Sequence, residues 1–499
     1  MFKNMFQISI ALIILLPLGA LMIHSFFSES DVFLFLIHHV LSDYILNSLY
    51  LGISVSILST IIGVGCAWSI VHYRFPLSNI IEIMLLLPMA FPAYIVAYAY
   101  TDLWGESTLI PIRSLGGAVF TMTLCLYPYI YLFARTGFLK HLQNTHQVDA
   151  GRLLKTTPFE QIAYITWPNA RPYIMIGIAL VLMEVLVDYG TVSYFNIKVF
   201  STGIYNAWIG YGDTVAAARL SIILLSFIFF LLLLERQNRK AMRFSVTGTE
   251  KVSPPAIPLC GGIKGFLLAI LCLTPVILGF VIPTLILIDL SLDYVDFHGI
   301  GILIFNTVKL GALVGFASLI LTYLVVLIKR QSRSSIIRLF QFISGFGYAL
   351  PGIVLGLGLM LIAQWMGIIS SLGLLLIGYL IRFWTIPTQS IEAGFDKISP
   401  TIDDASRLMR QNSLSEFWYI RLPLLWPAFL SGFLIVFVDV IKELPLTLVM
   451  RPLNYDTLAV KVYQLAADER LAEAALPSLV IMVCGLIPVV ILSRLIKRS

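Results

Sequence analysis

About twelve apolar stretches, each close to the length that crosses a bilayer, recur along this chain and leave few folds open to it. They lie near residues 7–25, 46–71, 80–102, 115–135, 173–196, 214–235, 264–288, 303–328, 340–364, 370–390, 426–447 and 474–494. A hydrocarbon core of about 30 Å takes roughly 20 apolar residues in a helix. Isolated strands cannot satisfy their backbone in lipid, and barrel strands would alternate polar and apolar residues. Composition agrees: 59% of the 499 residues are hydrophobic, 12% are charged, and the mean hydropathy is +0.92, beyond what a soluble core requires. The chain reads as an all-α polytopic membrane protein with about 12 transmembrane helices.

Basic residues orient the spans. Lys and Arg gather at His72–Arg74, Lys140 to Arg171, Arg236–Lys264, Lys329–Arg338, Arg382–Arg421 and Lys497–Arg498. The alternate loops are poorer in them, and two are acidic, with Glu29 and Asp31 in one and Asp289, Asp293 and Asp296 in the other. By the positive-inside rule both termini are cytoplasmic. The last outer loop departs from the rule with Arg451, Lys461 and Arg470, offset in part by Asp456, Asp468, Glu469 and Glu473. The net charge of +6 thus follows from topology and does not point to nucleic acid. The first span follows Lys3 as a signal peptide would, but Leu18-Gly19-Ala20 is a poor cleavage site, so an uncleaved helix is expected. The five cysteines are scattered without a C-x-x-C pair and read as small apolar packers; His38-His39 reads as a surface pair.

The chain is also internally repeated. D-A-G-x-x-x-K-x9-I-x-W-P at Asp149–Pro168 returns as D-A-S-x-x-x-R-x9-I-x-L-P at Asp404–Pro423. Leu46–Gly52 returns as Phe305–Gly311, and Phe91–Val96 as Leu350–Leu355. Each half holds six spans in the same order, entered from the same side: a parallel repeat with the transport route between halves. The division is a first half at 1–240 with a cytoplasmic loop at 141–171, a linker at 241–263, and a second half at 264–499 with its loop at 397–425. In each loop an acid leads a short helix, its charge favoured by the amino-terminal dipole, and Pro168 with Pro172, or Pro423 with Pro427, brackets re-entry into the membrane. Such a lever, held between two membrane helices, can pass on the movement of a soluble partner.

Both loops resemble the E-A-A-x-x-x-G-x9-I-x-L-P segment of ATP-binding-cassette (ABC) importer permeases. Nearly the whole chain is similar to the fused, two-domain ferric iron permease family, most clearly at Met183–Phe195, Lys442–Ala459 and Tyr463–Pro477. The resemblance implies a type I ABC importer permease fold and coupling helices that seat in two copies of a cytoplasmic ATPase. Asp149, Ala150 and Gly151, and again Asp404, Ala405 and Ser406, stand for E-A-A, with Pro168 and Pro423 closing the motifs. Lys155 and Arg410 replace the motif glycine, giving up its freedom to turn and offering a basic contact to an acidic partner surface. No G-x-x-x-x-G-K-[ST] occurs, so no cofactor is expected on this chain; ATP and Mg belong to the partner, and the chain is not expected to be an enzyme. The resemblance also implies a periplasmic or extracellular substrate-binding protein, received by Tyr205, Trp208, Arg451, Tyr455 and Arg470, and residence in the bacterial inner membrane.

Four acids fall inside the spans. Glu184 and Asp188 lie four apart on one helical face, and at the repeat separation they match Asp439 and Glu443. Charge in hydrocarbon marks a route by default, and carboxylates with Tyr189 nearby suit passage of a hard cation such as ferric iron. Pairing by Lys442 to hold helices together is the competing role for these acids. The same machine could carry thiamine, a polyamine or a phosphonate. An ion-coupled secondary transporter would use the four acids as relays, and a membrane-embedded enzyme lacks any nucleophile–base cluster here.

Overall fold

The computed structural model describes residues 2–105, 111–143, 166–244, 259–294, 299–331, 345–368, 371–396, 398 and 413–498. Among them no strand forms, only an isolated bridge between Arg74 and Leu259. The first half comprises α1 (Phe2–Phe27), α2 (Asp31–His39), α3 (Leu41–His72), α4 (Ser78–Met84), α5 (Ala93–Trp104), α6 (Leu115–Gln143), α7 (Trp167–Val187), α8 (Gly190–Tyr194), α9 (Phe200–Tyr205) and α10 (Thr214–Phe244). The second comprises α11 (Gly262–Asp293, with a π-turn at Ile277–Val281), α12 (Ile300–Gln331), α13 (Gly352–Trp365), α14 (Leu372–Phe383), α15 (Ile386–Asp396), α16 (Leu422–Lys442), α17 (Pro445–Met450), α18 (Leu458–Ala467) and α19 (Leu471–Arg498). Nine helices among the described residues are long and apolar enough to cross a bilayer, or up to eleven if each bent pair counts as one span.

The sequence expected a continuous span at 80–102, and the structure corrects it to an elbow. α4 and α5 meet at 91° across a 3-10 turn, Leu87–Ala90. Proline cannot donate a backbone hydrogen bond and pushes its predecessor out of the helical region. Pro92, with ψ 143°, therefore ends one segment and starts the next. Pro351, with ψ 136°, does the same between the 3-10 turn Gly345–Ala349 and α13. The repeated Phe-Pro-Ala and Leu-Pro-Gly are thus elbow signals. The expected span at 340–364 is, in its described part, that turn and the 14-residue α13.

A second repeated device shapes the turns that follow α8 and α17. Asn196 and Asn454 each take a left-handed φ, 54° and 63°, which asparagine tolerates better than most residues. Each turn leads into a segment anchored by the repeated Asn-Ser or Asn-Thr pair. Asn47 Nδ2 donates to the Lys198 carbonyl at 2.9 Å, and the Phe200 N–H donates to Ser48 Oγ at 3.3 Å. In the second half Asn306 Nδ2 donates to the Asp456 carbonyl at 3.1 Å, and the Leu458 N–H to Thr307 Oγ1 at 2.9 Å.

The halves exchange their first helices. Ile14 of α1 is buried in a core cluster with Leu310, Leu355 and Val436 of the second half. Gly358 lets α13 approach closely: a Cβ there would stand 2.6 Å from the Pro17 carbonyl oxygen. Reciprocally, Cys272 and Val276 of α11 share a core with α3, α5 and α6, and Tyr100 Oη donates to the Leu278 carbonyl at 2.6 Å.

Candidate functional site

Two elbows and two helix breaks converge between the halves and enclose a cavity of about 180 Å³. α7 stops at Val187 and α16 at Lys442; after each, one extended residue, Asp188 or Glu443, turns the chain into a short helix. The side chain of the turning residue holds the turn. Asp188 Oδ1 accepts from the N–H groups of Thr191 at 3.0 Å and Val192 at 3.3 Å, and Oδ2 accepts from Thr191 Oγ1 at 3.2 Å. Glu443 Oε1 accepts from the Leu446 N–H at 3.1 Å. Each acid thus satisfies amides that the next helix leaves without partners.

The four acids of the sequence reading, Glu184, Asp188, Asp439 and Glu443, all line this cavity, and so does Tyr189. Glu184 and Asp439 stand one turn before the breaks. Tyr348 Oη, from the second half's elbow, donates to Glu184 Oε1 at 3.2 Å across the interface. Tyr94 and Tyr129 add further phenol groups to the wall. Two cations complete it. Arg382 Nη1 lies 3.4 Å from Glu443 Oε1, both side chains being buried, and Lys442 Nζ donates to the Met89 carbonyl at 2.6 Å. The wall therefore carries two more acids than cations. Among the described residues no three His, Cys, Asp or Glu side chains group tightly enough to hold a metal ion. The carboxylates share a space without converging on one point.

Arg382 is a correction. The sequence assigned it to a cytoplasmic basic loop; it sits in α14, 8% exposed, facing Glu443 and Gly352. Hydropathy cannot tell a basic residue at the end of a span from one inside it when its partner lies 61 positions away in the chain. Tyr348, Tyr129 and Met89 were also missed, because nothing local marks a tyrosine or a backbone carbonyl as part of a cavity. Of the two cavity cations it is Arg382 that ion-pairs directly with an acid, while the Lys442 hydrogen bond goes to backbone.

The coupling residues Asp149, Ala150, Gly151, Lys155, Asp404, Ala405, Ser406 and Arg410 lie outside the described residues. Pro168 lies in the first turn of α7, and Pro423 follows a π-turn, Phe417–Arg421, that runs continuously into α16, while Pro172 and Pro427 lie inside those helices. Described residues flanking the second loop are fastened down. Arg330 donates to the carbonyls of Phe395 at 2.6 Å and Ile398 at 3.1 Å, and Lys329 pairs with Glu392 at 2.6 Å.

Of the outer residues, Tyr205 packs on Tyr189 at 5.0 Å and Trp208 on a core cluster. Arg451 pairs with Asp456, and Tyr455 Oη donates to the Asn306 carbonyl at 3.3 Å. These four serve the chain's own packing; Arg470 is exposed and pairs with Glu473 at 2.5 Å. Glu469 bonds Arg113 across the halves at 2.9 Å and raises that guanidinium's pKa, on a surface open enough to water that the pair contributes little stability. Tyr211, from the same set of loop aromatics, is exposed, and Leu453, 96% exposed beside the Asn454 turn, is a contact candidate the sequence reading missed.

Comparison with known proteins places this geometry. Residues 59–242 match the family of binding-protein-dependent transport system inner membrane components. The chain is similar to the Fe(3+)-transport system permease protein FbpB 2 of Haemophilus influenzae, 23% identical over 466 residues, covering 91% of this chain and 90% of the relative. It is also similar to the ferric transport system permease protein FbpB of Actinobacillus pleuropneumoniae, 22% identical over 469 residues, covering 86% of this chain and 65% of that relative. The resemblance to importer permeases read from the paired loops is borne out, as is the all-helical polytopic architecture. The many apolar helices make this a multi-pass membrane protein.

Proposed function

We propose that the chain is the membrane permease of an ATP-driven, binding-protein-dependent importer and that its cargo is ferric iron. The observation that carries the cargo reading is the cavity wall: two carboxylates from each half, together with phenols, form a surface of hard oxygen donors with acids in excess. Hard, highly charged cations favour such ligands. Because the acids do not converge, an ion is held by charge and by shared ligands and stays exchangeable, as passage requires. The names of the two relatives support the same cargo.

In this reading a binding protein delivers its load to the outer face, where Leu453, Tyr211 and Arg470 are exposed. Two ATPase subunits, which carry the ATP and Mg, grip the loops around Asp149 and Asp404 from a cytoplasm that also holds both termini. Their closure moves the two halves, and the cavity opens alternately to each side. The exchange of α1 and α11 means that neither half moves without carrying a helix of the other.

The test is radioiron uptake into vesicles containing the permease with the ATPase and binding protein that co-purify with it. Uptake that stops on ATP depletion and survives an uncoupler is expected; the opposite pattern makes the chain an ion-coupled transporter. Asp149→Lys with Asp404→Lys is expected to lose the ATPase in a pull-down while the permease stays folded.

A further inference from the structure

Lys442 ends α16 one turn beyond Asp439 and lines the cavity. Asp439 and Glu184 line the same cavity, yet its Nζ donates to the Met89 carbonyl at 2.6 Å. Met89 belongs to the 3-10 elbow of the other half, at the 91° bend. One bond thus joins the charged wall of the second half to the elbow of the first. The repeat that aligns Pro92 with Pro351 aligns Met89 with Tyr348, which reaches Glu184 from the opposite direction. The elbows are therefore latched across the interface at equivalent positions, one through a cation and one through a phenol.

The helix end itself does not need a lysine. Val187 occupies the matching position of α7, lines the same cavity and carries no charge. An ammonium withdrawn from water is costly unless compensated. Beside its bond to the Met89 carbonyl, the charged groups sharing the cavity with it are the four acids and Arg382.

We propose that Lys442 is a tethered counter-ion. It answers the acids' charge while the cavity is empty, and an entering multivalent cation drives it off, together with its hold on the Met89 elbow. The inference rests on the ferric reading and deepens it: the same acids select the ion, and Lys442 keeps their affinity low enough for release. It also links occupancy to the elbow, since the ion interacts differently with the latched and unlatched states.

The test uses the full-length permease in lipid nanodiscs, titrated with gallium(III), a redox-inert trivalent ion supplied as a weak chelate. Radioiron uptake is followed in cells bearing the same variants. Lys442→Met is expected to bind gallium at least tenfold tighter, about 1.4 kcal/mol, and to take up iron more slowly. Lys442→Gln removes the charge but keeps a donor for Met89; it should also bind tighter, and it carries the test if Lys442→Met does not fold. Lys442→Arg should retain the weak affinity. Gallium binding that is unchanged or weaker in folded Lys442→Gln overturns the counter-ion role while ferric transport stands. No gallium binding by wild type or variants, with no iron uptake, overturns the ferric reading and the counter-ion with it.

Discussion

In the first half the acid that breaks the membrane helix, Asp188, is held by two amides and a hydroxyl of its own chain segment. In the second half its counterpart, Glu443, is held by one amide and by a buried guanidinium from another helix. Among the described residues the backbone repeats its proline-marked 3-10 turns, left-handed asparagines and anchored turns in both halves, but the charges do not. Both cavity cations, Arg382 and Lys442, come from the second half; α6 of the first half has no Lys or Arg before Arg135. Duplication of a fold fixes where side chains stand, and the residues at those places were then free to diverge. One half supplies only negative charge, and the other also supplies the means to moderate it.

The largest difference should appear when the acids are removed. Glu443→Ala leaves Arg382 buried without its carboxylate and is expected to cost about 3–5 kcal/mol. Asp188→Ala loses only a cap, at about 1–2 kcal/mol. Thermal unfolding in detergent measures both, and equal losses would break the contrast. Adding Arg382→Met to Glu443→Ala should recover much of the stability, since the orphaned charge goes with it.

Next comes the glycine behind the ion pair. A Cβ on Gly352 would lie 2.6 Å from both Arg382 Nη1 and Glu443 Oε1, so Gly352→Ala should cost about 1–3 kcal/mol by forcing the pair apart. The matching first-half position is Ala93, where no such pair exists; Ala93→Gly should cost no more than about 1 kcal/mol, measured in the same melts.

The outer turns should behave alike. Asn47→Ala and Asn306→Ala each remove one side-chain bond to a returning segment, about 1 kcal/mol apiece, and limited proteolysis of the outer turns should report both. A large disparity would mean that the halves differ there too.

Smallest in stability is Asp188→Asn, within about 0.5 kcal/mol, because asparagine caps nearly as well as aspartate. Its iron uptake should nevertheless fall, since a cavity charge is gone. Uptake equal to wild type would remove Asp188 from the route and leave it a structural cap.

The all-helical membrane character, the internal repeat and the four acids were legible because each is a local pattern: apolar length, recurring spacing, charge within hydrocarbon. The count of about twelve spans was not, since nine to eleven are found among the described residues. The elbows were half-legible, since Phe91-Pro92-Ala93 and Leu350-Pro351-Gly352 stood out as a repeat but were read as lying inside straight spans. Arg382 was not legible in its role. A residue counted as loop-basic by hydropathy becomes the partner of Glu443 only when α14 and α16 are brought together.

The sequence by itself determined that this chain lives in a bilayer, that it is two copies of one unit, and that acids stand at equivalent depths in both. Those follow from the cost of burying polar backbone and charge, which is the same wherever the residue lies in the fold. Only the tertiary structure decided that the first helices change sides, that the four acids face one cavity, and that Lys442 reaches the elbow opposite while Arg382 takes the acid. An apolar helix face specifies that it must be covered but not by which neighbour. Packing between helices distant in sequence settles the choice.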